Sequence, residues 1–279
     1  MISVPNKLKT AVSDILQLNI QYQNLQKQIG AMNDEMSNLG IFSKKRKLEL
    51  QGQIADATSQ SEKVKAQIAS LVQSTSGYTP YAKALITIAA YGAGSKVHFG
   101  IYDFNGTQQP IEWQVLNVWN NMALLFATQN LCSLPYHNIN MVKCSREDSS
   151  ICHSCKNSTT WENSTLRTWL NGSFYQFSFT DDERSMIVTI NNTNPNGMGF
   201  RPQFLKDDRI DDNPRLWGGN NTNDMIFVLS ESEVNQYNVS SHGYWRRTPE
   251  GFGCAAAGGG YVYHASGVRP ALWFNLSIQ

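Results

Sequence analysis

The sequence lacks an excess of charge of either sign. Lys and Arg number 23 and Asp and Glu 22, a formal net charge of +1 over 279 residues, so no global field draws the chain to nucleic acid or anionic lipid. Long hydrophobic runs are also missing. The most apolar stretch, Ala84 to Ala90, is far too short to span a bilayer. Met1 to Thr10 have no basic-then-apolar run of the kind a secretory signal needs, which sets the expectation of a cytoplasmic chain with no membrane span. Cysteine is scarce and odd in number at five. In a reducing compartment that set favours free thiols or a metal site over a disulfide framework. What is present, 41% hydrophobic, 11% aromatic and 16% charged residues, is a globular composition and excludes disordered and collagen-like chains.

From Lys7 to Leu71 there is neither tryptophan nor proline, and Gln, Lys, Ala, Leu and Ile dominate. These are helix formers. Leu50, Ile54, Ala57, Ser61, Val64, Ile68 and Leu71 follow alternating steps of four and three, which keeps one seam on one side of a helix. Leu8, Val12, Ile15, Leu18, Tyr22, Leu25, Ile29, Met32 and Met36 keep similar steps with one irregularity near Leu18. Between the two runs Asn38, Leu39 and Gly40 end a helix and Ser43 can cap the next. Similar lengths and a short connection predict an antiparallel helical coiled-coil hairpin. Its seams either serve the hairpin alone or support a homo-oligomer. Lys44, Lys45, Arg46 and Lys47 occupy the first turn of the second helix, where the helix dipole disfavours cations, and read as a solvated tip or an anionic contact.

Ser74 to Gly77, followed by Pro80, reads as a linker, which divides the chain into a helical module at 1–76 and a second domain at 77–279. Beyond it, Lys96 to Tyr102, Ile111 to Val118, Met122 to Ala127 and Met225 to Leu229 are predicted strands, with turns at Asn105-Gly106 and Asn120-Asn121. Trp161 to Leu170, capped by Thr160, Asp181 to Ile187, capped by Thr180, and Ser230 to Tyr237, with Ser230 and Glu233 spaced as a capping box, are predicted helices. The fold class is α+β.

Several segments stand in a telling order: Val97 to Gly100, Ile111 to Leu116, Ala123 to Leu125, Thr160 to Asn171, Asp224 to Ser230, Trp245 to Pro249 and Gly267 to Leu276. This set resembles a bacterial domain family of C-type lectin type, related in fold to the formylglycine-generating enzyme, which includes variable proteins of diversity-generating retroelements. The resemblance covers roughly Ser95 to Leu276 and is most specific in Gly267 to Leu276. It implies a ligand-binding rather than catalytic protein whose C-terminal face contacts a protein ligand. On this chain that face corresponds to Glu250 to Ser266, shorter and richer in Ala and Gly than the family's pattern, with Trp245, Glu250, Phe252, Cys254, Tyr261, Tyr263 and His264 as the ligand-contacting candidates. Phe252, Tyr261, Tyr263 and His264 stand among five glycines and offer aromatic contacts of the kind enriched in binding surfaces. The alternatives are a metal-dependent enzyme of the formylglycine-generating type and a structural protein of phage or cell. Leu272, Trp273, Phe274 and Leu276 read as a buried strand after the breaker Pro270.

Zinc is the candidate cofactor. Cys152 and Cys155 form a two-residue knuckle, Cys132 and Cys144 stand upstream, and His137 and His153 are alternative ligands; unliganded thiols or disulfides are the competing readings. Neither GxSxG nor HExxH occurs. Asp207, Asp208, Asp211 and Asp212 read as exposed loop acids, because no EF-hand pattern surrounds them.

Overall fold

In a computed structural model of the chain, the residues described are 6–40, 43–74, 77–138, 161–193, 221–239, 243–247 and 265–277, with the backbone alone at 151–152 and 157–158. The chain divides into two compact units, 1–97 with 276–279, and 98–275. The division falls later than the linker at Ser74 to Gly77, because a third helix belongs with the first two.

In the first unit, α1 (Asn6–Asn38) and α2 (Lys44–Gln73) form the antiparallel hairpin, and α3 (Pro80–Tyr91) packs on both. Every predicted seam position is buried or half-buried: Leu8, Val12, Ile15 and Leu25 on α1 face Leu50, Ala57, Val64 and Ile68 on α2. One seam position is polar. Ser61, 1% exposed, accepts a hydrogen bond from Gln26 Nε2 at 2.7 Å, a pairing that a slipped register would leave unsatisfied. At the tip Arg46 pairs with Glu35 at 2.8 Å and Glu49 at 3.5 Å. These pairs are about half exposed and contribute little. Ser43 stands at the start of α2, but its side chain makes no capping bond. Asn19 Nδ2 on α1 donates to the Ala89 carbonyl of α3 at 3.1 Å. Among the described residues, no helix is long and apolar enough to cross a membrane.

The second unit is built on a curled antiparallel sheet. β1 (Lys96–Phe104), β2 (Thr107–Trp119) and β3 (Met122–Ala127) follow one another as a meander, joined by tight turns. Asn105, Gly106, Asn120 and Asn121 all take positive φ, the conformation that lets a two-residue turn match the twist of its strands. After β4 (Cys132–Pro135) come two short strands, β5 (Ile151–Cys152) and β6 (Asn157–Ser158). A run of short helices follows: α4 (Thr165–Trp169), a kinked helical segment at Leu170–Phe174, α5 (Tyr175–Ser178) and α6 (Asp181–Met186). The chain then forms β7 (Ile187–Val188), β8 (Ile190–Asn192), β9 (Thr222–Asp224), β10 (Ile226–Phe227), α7 (Glu231–Gln236), β11 (Ala265–Val268) and β12 (Ala271–Asn275).

The strand nearest the C-terminus enters the middle of the sheet. β12 pairs with β3 along its whole length, Ala271 opposite Phe126 and Asn275 opposite Met122. Its other side is shared by β10, with Ile226 opposite Leu272, and β7, with Val188 opposite Trp273. Leu272 and Phe274 are fully buried, whereas Trp273 is only half-buried, because successive side chains of a strand point to opposite faces. On the inner face Phe99 packs against Trp113, Phe274 and Phe179 with ring centroids 5.5, 5.1 and 5.7 Å away. The Trp113 indole donates to the Phe99 carbonyl at 3.0 Å, so its one polar atom is satisfied.

Local signals set the helix ends. Thr180 with Glu183 and Ser230 with Glu233 both form complete capping boxes. Glu183 does a second job: its Oε1 accepts the Gly100 backbone N–H at 2.8 Å, occupying a donor of the edge strand β1. Gly100 has φ +66°, and a Cβ there would stand 2.6 Å from the Phe179 ring, so only glycine fits. The helix expected from Trp161 begins later, at Thr165. Ser164 is its cap, accepting from Arg167 N at 3.1 Å, while Trp161 to Asn163 form a turn.

Candidate functional site

The Trp161–Asn171 segment and β9 meet around one buried carboxylate. Asp224 has no exposed surface. Its Oδ2 accepts from Trp161 Nε1 at 2.8 Å, Asn192 Nδ2 at 2.8 Å and Thr222 Oγ1 at 2.7 Å, and its Oδ1 accepts from Arg167 Nε at 2.6 Å. Four donors, one of them cationic, fill the acceptor capacity of the group. Arg167 continues to the Asn223 carbonyl at 3.1 Å and the Glu162 carbonyl at 3.4 Å. One turn on, Asn171 Oδ1 accepts from the backbone of Met225 and Ile226, and its Nδ2 donates to the carbonyls of Arg167 and Ile226. The tryptophan, arginine and asparagine of the Thr160–Asn171 motif thus tie the helical segment to β9 and β10. This chemistry holds two chain segments together.

A second cluster holds the residues on either side of 248–264. Arg247, 3% exposed, donates from Nε to the Val228 carbonyl at 2.8 Å and from Nη2 to Glu233 at 2.9 Å, and its guanidinium lies 5.1 Å over the Phe227 ring. Its backbone bridges Ser230. On the return side Arg269 donates to the Ala127 carbonyl at 3.0 Å and stacks on Phe126 and Tyr244, 4.2 and 5.0 Å from their centroids. Burial lowers the Arg269 pKa, with Tyr244 opposing the shift, and burial raises that of Tyr244, with Arg269 and Arg246 opposing it. The two flanks touch: Tyr244 bridges Gly267, and the Trp245 N–H donates to the Gly267 carbonyl at 2.9 Å. β11 itself pairs with β4, Val268 opposite Cys132.

Of the candidates for ligand contact, Trp245 is the one described, and it is a core residue. It is fully buried, packs 5.5 Å from Tyr136 and donates its indole N–H to the Leu134 carbonyl, so its side chain is not available to a ligand. Glu250, Phe252, Cys254, Tyr261, Tyr263 and His264 lie outside the described residues, as do Cys144, Cys155, Asp207, Asp208, Asp211 and Asp212. Cys152 is described in its backbone alone, opposite Asn157. Cys132 on β4 is half-buried, and burial raises its thiol pKa, partly offset by a hydrogen bond from Tyr102. The Tyr102 pKa is pushed up by burial and by that same sulfur. His137 is 2% exposed, and burial lowers its pKa against an opposing Asn163 carbonyl, so the ring is neutral at pH 7. Among the described residues, no three His, Cys, Asp or Glu side chains are grouped to hold a metal.

Sequence reasoning placed Asp224, Arg167 and Asn171 in motifs without seeing that they join. Their separation of more than fifty residues hides the contact. A buried-type signal was present in Trp161, an indole whose N–H needs a partner once it is inside.

A family model described as "Domain of unknown function (DUF6273)" matches residues 131–243, less than half of the chain. That span contains Trp161, Arg167, Asn171 and Asp224, and ends before Tyr244. No curated protein and no solved structure matches the chain.

Proposed function

We propose that the 98–275 unit is a ligand-binding domain of C-type lectin type, akin to the variable proteins of diversity-generating retroelements, that presents residues 250–266 to a protein ligand. In this reading the helical hairpin joins copies of the chain or attaches it to a larger assembly. The observation that carries the reading is the pair of clamped flanks. Tyr244 is bridged to Gly267, the buried Arg247 has its guanidinium over Phe227, and the half-buried Arg269 stacks on Phe126. Flanks anchored in this way let the sequence between them vary while the anchors are kept. Within it, Phe252, Tyr261, Tyr263 and His264 supply rigid aromatic and imidazole contacts among glycines. Assembly would use residues outside the hairpin seam, since the seam is consumed internally while Leu16, Ile20 and Leu48 are exposed.

The test is to replace Phe252, Tyr261, Tyr263 and His264 together with Ala, and separately to randomise these four positions in a displayed library of the full chain. The fourfold variant should melt within about 2 °C of the parent, as surface changes do, and the library should yield binders to a chosen folded protein. A nearby reverse-transcriptase gene with a template copy of the 250–266 codons would add independent support. If the fourfold variant unfolds, those side chains belong to the core and the reading is wrong.

A further inference from the structure

A second site lies on the surface where β1 meets the short helices. The helical segment Leu170–Phe174 is interrupted by a kink at Gly172 (φ −106°, ψ −107°), and Trp169, Phe174 and Phe177 around it line one cavity together with Tyr102 and Asp103 of β1. The cavity is about 250 Å³. Its wall is a continuous run of rings: Trp169 lies 5.1 Å from Phe174, and Phe174 lies 6.0 Å from Tyr102. Phe177, at the rim, is 81% exposed although it is a large aromatic side chain. Among the described residues, Asp103 is the single charged residue lining the space, with Gln108 the neighbouring amide, and no described Lys, Arg or His lines it. The carboxylate is held in place, because its Oδ1 accepts the Gly106 N–H at 2.6 Å.

We propose that this groove binds the guanidinium of an arginine side chain presented by a protein partner. Three features select that occupant. The faces of aromatic rings carry partial negative charge and attract cations, the more so when the rings are packed into one wall. A lone fixed carboxylate at the mouth supplies a charge-assisted acceptor for a planar N–H fork. The cavity is below the usual range for drug-sized ligands, roughly 300 Å³ and upward, and suits one side chain. Its named residues differ from those of 250–266, so substitutions here test it separately from the binding face proposed above.

The experiment uses the full chain and small probes. Calorimetry and saturation-transfer NMR compare acetyl-Gly-Arg-Gly-amide, the same peptide with citrulline in place of arginine, and methyl β-glucopyranoside. The arginine peptide should bind, and the neutral citrulline peptide should bind at least about tenfold more weakly. Asp103→Asn and Phe177→Ala should each weaken the arginine peptide about fivefold or more, and raised salt should weaken it further. Both variants should keep the parent melting temperature: asparagine retains the side-chain oxygen that accepts from Gly106, and Phe177 is already exposed. Equal binding of arginine and citrulline peptides overturns the proposal, as does affinity that neither variant changes. Binding of the glycoside alone overturns it in favour of a saccharide, and failure of the arginine peptide to bind up to about 10 mM, beyond the range a single anchored side chain supports, removes it.

Discussion

Replacing Asp224 with alanine removes the acceptor on which four donors converge, and the cost can be worked from the geometry. Trp161, Asn192 and Thr222 are 2%, 3% and 4% exposed, so their donors have no route to bulk water once the carboxylate is gone. An orphaned buried donor costs about 1–3 kcal/mol, and a water admitted into the vacated space can satisfy one of the three. The fourth donor, Arg167, has a side chain 25% exposed, so it can turn toward solvent and adds less than a fully buried ion would. The sum is about 2–6 kcal/mol, or roughly 4–24 °C in melting temperature for a unit of this size. Arg167→Ala strands a carboxylate that is completely buried, and should cost about 3–4 kcal/mol. Because the two losses share one contact, the double variant should be less destabilised than the sum by about 1–3 kcal/mol. Urea unfolding followed by tryptophan fluorescence, with calorimetry alongside, measures all three variants. An Asp224→Ala change below about 0.5 kcal/mol, the range of an ordinary surface substitution, or full additivity in the cycle, would refute the view that this carboxylate clasps the Trp161–Asn171 segment to β9.

Three further outcomes are expected. Gly100→Ala places a Cβ 2.6 Å from the Phe179 ring at φ +66°, and should destabilise the protein by about 2–4 kcal/mol in chemical denaturation. A loss below that range would mean that the edge strand and Phe179 can part. His137, buried and neutral, has a lowered pKa, so the unfolded chain binds its proton first as pH falls. Stability should therefore decline from about pH 6.5 downward until the folded pKa is passed, and His137→Leu should flatten that decline in melting curves taken between pH 7.5 and 4.5. Leu16→Glu with Ile20→Glu changes two exposed apolar positions of α1 and leaves the hairpin seam intact. If those residues join copies of the chain, light scattering should show fewer chains per particle with unchanged helicity, and an unchanged particle mass would exclude that face as the contact.

Much of this architecture was legible because its determinants are local. The helical seams, the positive-φ turns at Asn105-Gly106 and Asn120-Asn121 and the two capping boxes each lie within a few residues of sequence, where backbone geometry and side-chain chemistry act directly. The Ser164 cap was missed in favour of Thr160 because both are good capping residues; what separates them is that Trp161 must turn inward to reach Asp224. For the same reason the boundary at Ser74 to Gly77 marked a change of composition, while the division of the fold came at Val97, after a helix whose apolar face packs on the hairpin.

Sequence alone determined the antiparallel hairpin, the β1–β3 meander and the two capping boxes at Thr180 and Ser230, since each is settled by periodicity or by residues a few positions apart. Tertiary structure decided the rest. It brought β12 between β3 and the β10/β7 pair, turned Trp245 and Arg247 into buried anchors, and gathered Trp161, Arg167, Asn192 and Thr222 on Asp224. These are contacts between residues far apart in the chain, and their identity follows from which buried polar groups must find partners once the core has formed.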